Sequence, residues 1–285
     1  MTNPSQTSDI RSWLAGREPS LAGRLVRRLL PMRREVVREN MRTAFPELDG
    51  AELTKLSELF CDNLLATVWE NLRFPFVSDE ALKKSVRIVG VERLFEAAKK
   101  GNGVLVCTAH FANWETTPVA AIQQYPEFKG RLHFMRRPIG AAWLERLLFG
   151  RYYRAGLGII PKRNSMGFVL DTLANNETII FIMDQFAKIS KEGIAVEFFG
   201  KPAGTFRSLA LVAKRSGAPV VPSYSYREPG GKHVMEFMPA LEWIEDDDTD
   251  REIYLNTRQY NAAIENMVRA HPDQWWWPHR RWKIK

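Results

Sequence analysis

A chain of 285 residues, 45% of them apolar, can bury a substantial core and a formed pocket, and it shows no linker, low-complexity tract or repeat that would mark a second folding unit. Its two cysteines, Cys61 and Cys107, lie far apart in apolar contexts, which excludes a disulfide framework and points to a reducing compartment. The formal charge of +8 and pI near 9.5 favour an anionic partner, whether nucleic acid, lipid headgroups or an acidic protein.

In chain order, residues 1–9 are polar and lack the apolar centre of a secretory signal, so the chain is expected to stay in the cytoplasm. No apolar run approaches the roughly 18 residues that a membrane-spanning helix needs. Between residues 10 and 34, Arg11, Arg17, Arg24, Arg27, Arg28, Arg33 and Arg34 face a single acid, Glu18. On a helical wheel Leu21, Leu25, Val26, Leu29 and Leu30 take one half and Arg24, Arg27 and Arg28 the other, and Pro31 ends the pattern. Such a helix either lies on a membrane or packs its leucines on the body and leaves its arginines in water; the sequence leaves both open. Nucleic-acid binding is disfavoured, because no recognised motif accompanies the arginines. Residues 1–50 are therefore read as a basic amphipathic N-terminal extension and 51–285 as one domain.

Leu53, Leu56, Phe60, Leu64, Val68 and Leu72 recur at helical spacing and predict one long helix over about 51–72. Short β-branched or apolar runs predict strands at 104–108, 132–135, 178–183, 219–226 and 234–237, with helices around 141–155, 165–175, 206–216 and 251–270. This alternation implies an α/β fold: a layered, mainly parallel sheet flanked by helices. In such sheets ligands collect at the carboxyl ends of the strands. The acidic run from Glu245 to Glu252 reads as a solvated turn and helix start. Trp275, Trp276, Trp277 and Trp282, interleaved with His279, Arg280, Arg281, Lys283 and Lys285, read first as a hydrophobic clasp tying this segment to the core and second as a lipid interface.

The predicted strand 104–108 runs into a polar loop holding His110, Asn113, Trp114 and Glu115. If the chain turns there from strand into helix, a carboxylate can hold one ring nitrogen while the other faces a pocket. Hydroxyl chemistry needs that arrangement, since an alcohol is a poor nucleophile near neutral pH and a histidine can take its proton during attack. A single histidine at a strand end can equally be a hydrogen-bonded core residue. A thiol hydrolase built on Cys107 is disfavoured, because an odd separation on a strand sends Cys107 and His110 to opposite faces. Neither a Gly-x-Ser-x-Gly elbow nor a nucleotide-binding glycine motif occurs, and the five histidines show no zinc-like spacing.

Several motifs in order add to the pair: His-Phe-Ala-Asn-Trp-Glu at 110–115, Arg-Arg-Pro at 136–138, Gly-Ile-Ile-Pro-Lys-Arg at 158–163 and Met-Asp-Gln at 183–185. They continue with Val-Glu-Phe-Phe-Gly-Lys-Pro-Ala-Gly-Thr at 196–205, Gly-Ala-Pro-Val-Val-Pro at 217–222, His-Pro-Asp-Gln at 271–274 and His-Arg-Arg at 279–281. After about Arg34 the chain resembles the lipid A biosynthesis (late) acyltransferases, a branch of the lysophospholipid acyltransferase superfamily. The resemblance implies an enzyme that moves an acyl group from a thioester on acyl carrier protein or coenzyme A to a hydroxyl of a lipid A precursor or related membrane lipid. His110 would be the general base and Glu115 its orienting carboxylate, with no metal, cofactor or covalent acyl-enzyme required. Asn113, Trp114, Arg137, Arg163, Asp184, Gln185, Phe199 and Thr205 are the expected substrate-binding positions. Asp184 and Gln185 would orient substrate or brace the loop, and Phe199 and Thr205 would shape the acyl or acceptor pocket. Family members usually carry an N-terminal membrane helix, whereas this sequence has the shorter Arg-rich segment, so the expected attachment is peripheral, on an anionic membrane surface at the cytoplasmic face of a bacterial inner membrane. The competing readings are a thioesterase-like hydrolase and a non-enzymatic protein that binds anionic lipid or nucleic acid.

Overall fold

The computed structural model describes residues 9–29, 33–136, 142–161 and 165–283, the side chains of 142–148 excepted. Its centre is a seven-stranded sheet in the order β1-β9-β8-β2-β5-β3-β4. The five expected strands are all present as β2 (Val104–Thr108), β3 (Leu132–Arg136), β5 (Thr178–Ile182), β8 (Val220–Arg227) and β9 (His233–Phe237). β2 pairs in parallel with both β5 and β8, and β3 with β5 and β4 (Gly158–Pro161). Two strands run the other way: β9 is antiparallel to β8, and the edge strand β1 (Val86–Val89) is parallel to β9. The sheet is thus mainly parallel, as the alternation of elements implied.

β2 reads as a continuous apolar run because helices cover both faces. Leu105 and Cys107 belong to one core, Val104 and Val106 to the other, as the alternation of side chains along a strand requires. Gly103 enters the strand at φ 69°, and a Cβ there would meet the Glu177 carbonyl at 2.7 Å, so only glycine fits.

The long helix α4 (Gly50–Arg73) begins within a residue of its expected start. A capping box sets that point: Asp49 accepts from the Ala51 and Glu52 amides, both at 2.8 Å, and Glu52 accepts from the Asp49 amide at 2.8 Å. Before it lie α1 (Ile10–Ala15), α2 (Leu21–Leu29) and α3 (Arg34–Ala44). Ile10, Trp13, Val37 and Met41 bury in the same core as Leu53 and Trp277. α2 does otherwise. Gly23 is its one buried residue, and a Cβ on it would strike the Asp62 side chain at 2.4 Å, so α2 lies close on α4 through its small and polar side. Leu21, Leu25 and Leu29 are exposed, which removes the reading in which these three pack on the body, whereas Val26 of the same row packs against the core and Leu30 lies outside the described residues.

The hairpin of β6 (Gly193–Phe198) and β7 (Lys201–Phe206) is an addition to the expected elements. Its turn residues Phe199 and Gly200 both have positive φ, 51° and 69°, the geometry of a tight two-residue hairpin. A glycine preceded by phenylalanine is a weak turn signal, and here the Phe199 amide is held by Glu265 at 3.0 Å. The final helix α11 (Thr249–Ala270) starts inside the acidic run, with Asp248 accepting from the Asp250 amide at 2.9 Å, as expected. No described helix is long and apolar enough to cross a membrane.

Candidate active site

β2 and β5 are paired in parallel with Thr108 opposite Ile182. Each strand continues two residues into a loop, so His110 and Asp184 emerge side by side at the carboxyl edge of the sheet. Asp184 is fully buried. Its Oδ1 lies 2.8 Å from His110 Nδ1, and its Oδ2 accepts the His110 amide at 2.9 Å and Trp275 Nε1 at 2.9 Å.

Burial works against charge on both groups, yet each one's charge outweighs that penalty for the other. Desolvation alone would lower the His110 pKa; the Asp184 charge and hydrogen bond, with a smaller contribution from Glu115, raise it above 6.5. Desolvation would raise Asp184, but the His110 imidazole and its hydrogen bonds hold the carboxyl down at about 2. An ionised Asp184 accepts only, so Nδ1 carries the proton and Nε2 presents its lone pair.

Beyond His110 opens a cavity of about 490 Å³. Phe134, Phe149, Ile180 and Phe206 form its apolar wall, and Gln185 and Ser208 add polar points. The Trp114 ring stands edge-on to His110, centroids 4.9 Å apart. Glu115 lines the cavity too, but its hydrogen bonds go elsewhere. Its Oε1 accepts Trp114 Nε1 at 3.0 Å, its Oε2 accepts the Tyr152 hydroxyl in a short contact, and that hydroxyl also reaches the Glu115 carbonyl at 2.7 Å. The expectation that Glu115 holds the His110 ring is thus corrected: Asp184 holds it, and Glu115 acts on it through charge while fixing Trp114 and Tyr152.

The loop is braced from three sides. Ala112, forced to φ 42°, gives its amide to the Gln274 carbonyl at 2.9 Å, and the Trp276 amide binds the His110 carbonyl at 2.9 Å. Phe111 and Trp275 form an antiparallel bridge. Trp275 and Trp277 are fully buried, so the tryptophan-rich segment is the clasp that the sequence suggested. The third brace is Asn113, which was expected to bind substrate but faces away from the cavity. Its Nδ2 donates to Glu70 Oε2 at 2.9 Å, and its Oδ1 accepts the Thr116 amide at 3.3 Å. Glu70 also accepts from Arg227 Nε at 3.1 Å and Nη2 at 2.9 Å and lies 3.0 Å from His233 Nε2. Despite burial, these partners hold its carboxyl at about 2.

Two further expectations are corrected. Phe199 packs edge-on against Phe45 with centroids 5.9 Å apart, and Thr205 accepts from Arg281 Nη2 at 2.9 Å in the buried hairpin; neither lines the cavity, because the hairpin turns them into the α11 side of the core. Arg137 and Arg163 lie outside the described residues. Glu70 and Tyr152 were not singled out from sequence, and Trp275 was read only as part of the clasp, not as a partner of Asp184. Glu70 left one trace there: with Asn63 and Thr67 it puts polar groups on the inward face of an otherwise apolar helix pattern. Among the described residues, His110, Asp184 and His279 bring ligand-type atoms within 4.8 Å of one another, and would be the groups to hold a cation. Both Asp184 oxygens are occupied by the donors named above, an arrangement suited to proton transfer.

A histidine held by a buried carboxylate thus opens on a largely apolar cavity at the carboxyl edge of an α/β sheet. The chain belongs to the bacterial lipid A biosynthesis acyltransferase family, whose model matches residues 19–284. It is therefore an acyltransferase that acts on a lipid. It is 23% identical over 266 residues to the lipid A biosynthesis lauroyltransferase of Escherichia coli, covering 92% of this chain and 83% of the relative. It is 22% identical over 223 residues to the phosphatidylinositol mannoside acyltransferase of Mycobacterium tuberculosis, covering 75% and 66%. Among solved structures, the 1-acyl-sn-glycerophosphate (LPA) acyltransferase PlsC of Thermotoga maritima aligns with a TM-score of 0.35 at 14% identity, covering 88% of this chain and 95% of that one.

Proposed function

We propose that the protein moves a fatty acyl group from a thioester donor, acyl carrier protein or coenzyme A, to a hydroxyl of a lipid A precursor or related glycolipid. It would do so as a peripheral enzyme at the cytoplasmic face of a bacterial inner membrane. The observation that carries the reading is the His110–Asp184 pair at the mouth of the apolar cavity.

In this mechanism His110 Nε2 takes the proton of the acceptor hydroxyl as that oxygen attacks the thioester carbonyl. The carbonyl oxygen gains charge in a tetrahedral intermediate, which collapses as the carbon–sulfur bond breaks, and the imidazolium can return its proton to the leaving thiolate. Asp184 keeps Nδ1 protonated and stabilises the imidazolium. Glu115 adds negative charge nearby and sets the positions of Trp114 and Tyr152. Phe134, Phe149, Ile180 and Phe206 suit an acyl chain. Arg137 and Arg163, at family motif positions, are proposed to bind phosphate or carrier groups, and Gln185 to orient the reacting ends.

The test is mass spectrometry of total lipids from host cells carrying the wild type, His110→Ala, Asp184→Ala or no protein, followed by assays with acyl carrier protein and coenzyme A thioesters. A lipid heavier by one acyl group, present only with wild type, is expected. The same product from His110→Ala would overturn the mechanism, and free fatty acid without acylated lipid would favour a thioesterase.

A further inference from the structure

The outer face of α2 and the second half of α4 form one continuous apolar surface. Of the twelve large apolar side chains exposed among the described residues, seven lie between positions 21 and 76. Leu21, Leu25 and Leu29 repeat every fourth residue along α2, and Leu21 and Leu29 are 82% and 65% exposed. α2 lies on α4 with Ser20 bonded to Asp62 and Arg27 near Thr54 and Glu58, so it covers α4 only as far as Asp62. At about 3.6 residues per turn, Leu65, Val68, Trp69 and Leu72 fall on the same face of α4 as Thr54, Glu58 and Asp62. That face therefore emerges from under α2 and runs on uncovered to Phe76. Trp69, Leu72 and Phe76 are 60%, 64% and 87% exposed.

Charge decides what covers it. Arg24 and Arg28 are exposed beside the leucine row, and the Arg73 guanidinium lies 5.7 Å from the Trp69 ring centre. The acids of the seam are turned inward: Asp62 is bonded to Ser20, and Glu58 meets Arg27. Glu18 is tied to Lys55 at 2.7 Å and also meets Arg24 at 3.6 Å. A leucine and tryptophan surface rimmed by arginine is complementary to an anionic bilayer, into which the apolar side chains insert while the guanidinium groups meet headgroup phosphates.

We infer that the α2/α4 seam, through Leu21, Leu25, Leu29, Trp69, Leu72 and Phe76, is the face that docks on an anionic lipid bilayer. The inference rests on the proposed function only in that the acceptor lipid is taken from a bilayer. On the opposite side of α4, Glu70 holds the catalytic loop, so docking on this face sets the active site one helix away from the lipid surface.

The experiment is co-sedimentation of the full chain with vesicles of phosphatidylcholine alone and of phosphatidylcholine and phosphatidylglycerol in equal parts, with thermal melting as a check on folding. Wild type is expected to bind the mixed vesicles, less so in high salt, and the neutral ones weakly. Leu25→Ser and Leu72→Ser are each expected to lower partitioning about tenfold, the order expected for one leucine taken off an apolar phase. Both variants should keep wild-type transfer rates on acceptor dispersed in detergent, whereas His110→Ala should bind vesicles normally and transfer nothing. Wild type that ignores the mixed vesicles, or serine variants that bind them equally, overturns the docking face while leaving the chemistry intact. So does a vesicle-free dimer that the serine variants dissociate, which would make a second copy the occupant. Transfer by His110→Ala overturns the chemistry and leaves the docking face standing.

Discussion

His110 Nδ1 and Asp184 Oδ1 are 2.8 Å apart although 74 positions separate them in sequence. The Asp184 carboxylate that fixes this ring also accepts the backbone amide of the same histidine. Ring and backbone are thus aligned by one side chain, and Asp184→Asn, which keeps the shape, should lower kcat/KM by about 10³- to 10⁴-fold through loss of the tautomer and of imidazolium stabilisation. Steady-state assay of the purified variant checks this; a loss confined to KM would show that Asp184 positions substrate instead.

The pH profile follows from the same pair. A general base must be neutral, and Asp184 raises the His110 pKa above 6.5 despite burial. The rate should therefore climb with pH through a limb above 6.5 in the wild type. In Asp184→Asn, where burial acts without the opposing charge, the limb should fall below that of the wild type. Glu115→Gln should move it less, since Glu115 makes no hydrogen bond to the ring. Profiles of kcat/KM for the three proteins settle the assignment, and a larger displacement in Glu115→Gln would return the orienting role to Glu115.

Trp275→Phe should move the limb the other way. Removing the indole N–H leaves Asp184 Oδ2 with the His110 amide alone, and a less satisfied carboxylate holds the imidazolium more tightly. The lost hydrogen bond should also cost about 1–3 kcal/mol of stability, read by denaturant melts.

Glu70→Ala should unfold more easily and turn over more slowly. It leaves Arg227 and His233 without their carboxylate; because the Glu70 side chain is still 29% exposed, the cost should sit at the low end for a buried pair, about 3 kcal/mol. With Asn113 released, a shift of the loop by an ångström would lower kcat up to about 100-fold. Unchanged kcat in a destabilised variant would show that the brace serves folding alone.

Cys107→Ser should retain activity. The thiol is fully buried and pushed up to about 12 by desolvation, which makes it unreactive. Inactivation of the native enzyme by a thiol reagent that Cys107→Ser abolishes would revive the thiol-hydrolase reading.

What could be read from the sequence was what one stretch of chain decides by itself. The apolar run 104–108, the capped helix after Asp49 and the tryptophan clasp carry their own periodicity or composition. The choice of Asp184 over Glu115 depends on the register of β2 against β5, which no local pattern records. Proximity in sequence favoured Glu115, five residues from His110, and the αL turn at Ala112 sends that carboxylate to Trp114 and Tyr152. Phe199 and Thr205 were placed in the pocket because they share a motif, whereas the hairpin carrying them packs under α11. The leucine row of α2 was equally compatible with two environments until Gly23 showed which side meets α4.

The clasp has a consequence for biosynthesis. Ribosomes deliver His110 and Asp184 long before Gln274, Trp275 and Trp276, yet these late residues hold the His110 loop and the Asp184 carboxylate. A nascent chain released before residue 276 would carry both proton-transfer groups without the backbone bridge that registers them. The bridge from Gln274, Trp275 and Trp276 to the His110 loop and to Asp184 therefore forms only once translation has passed this point.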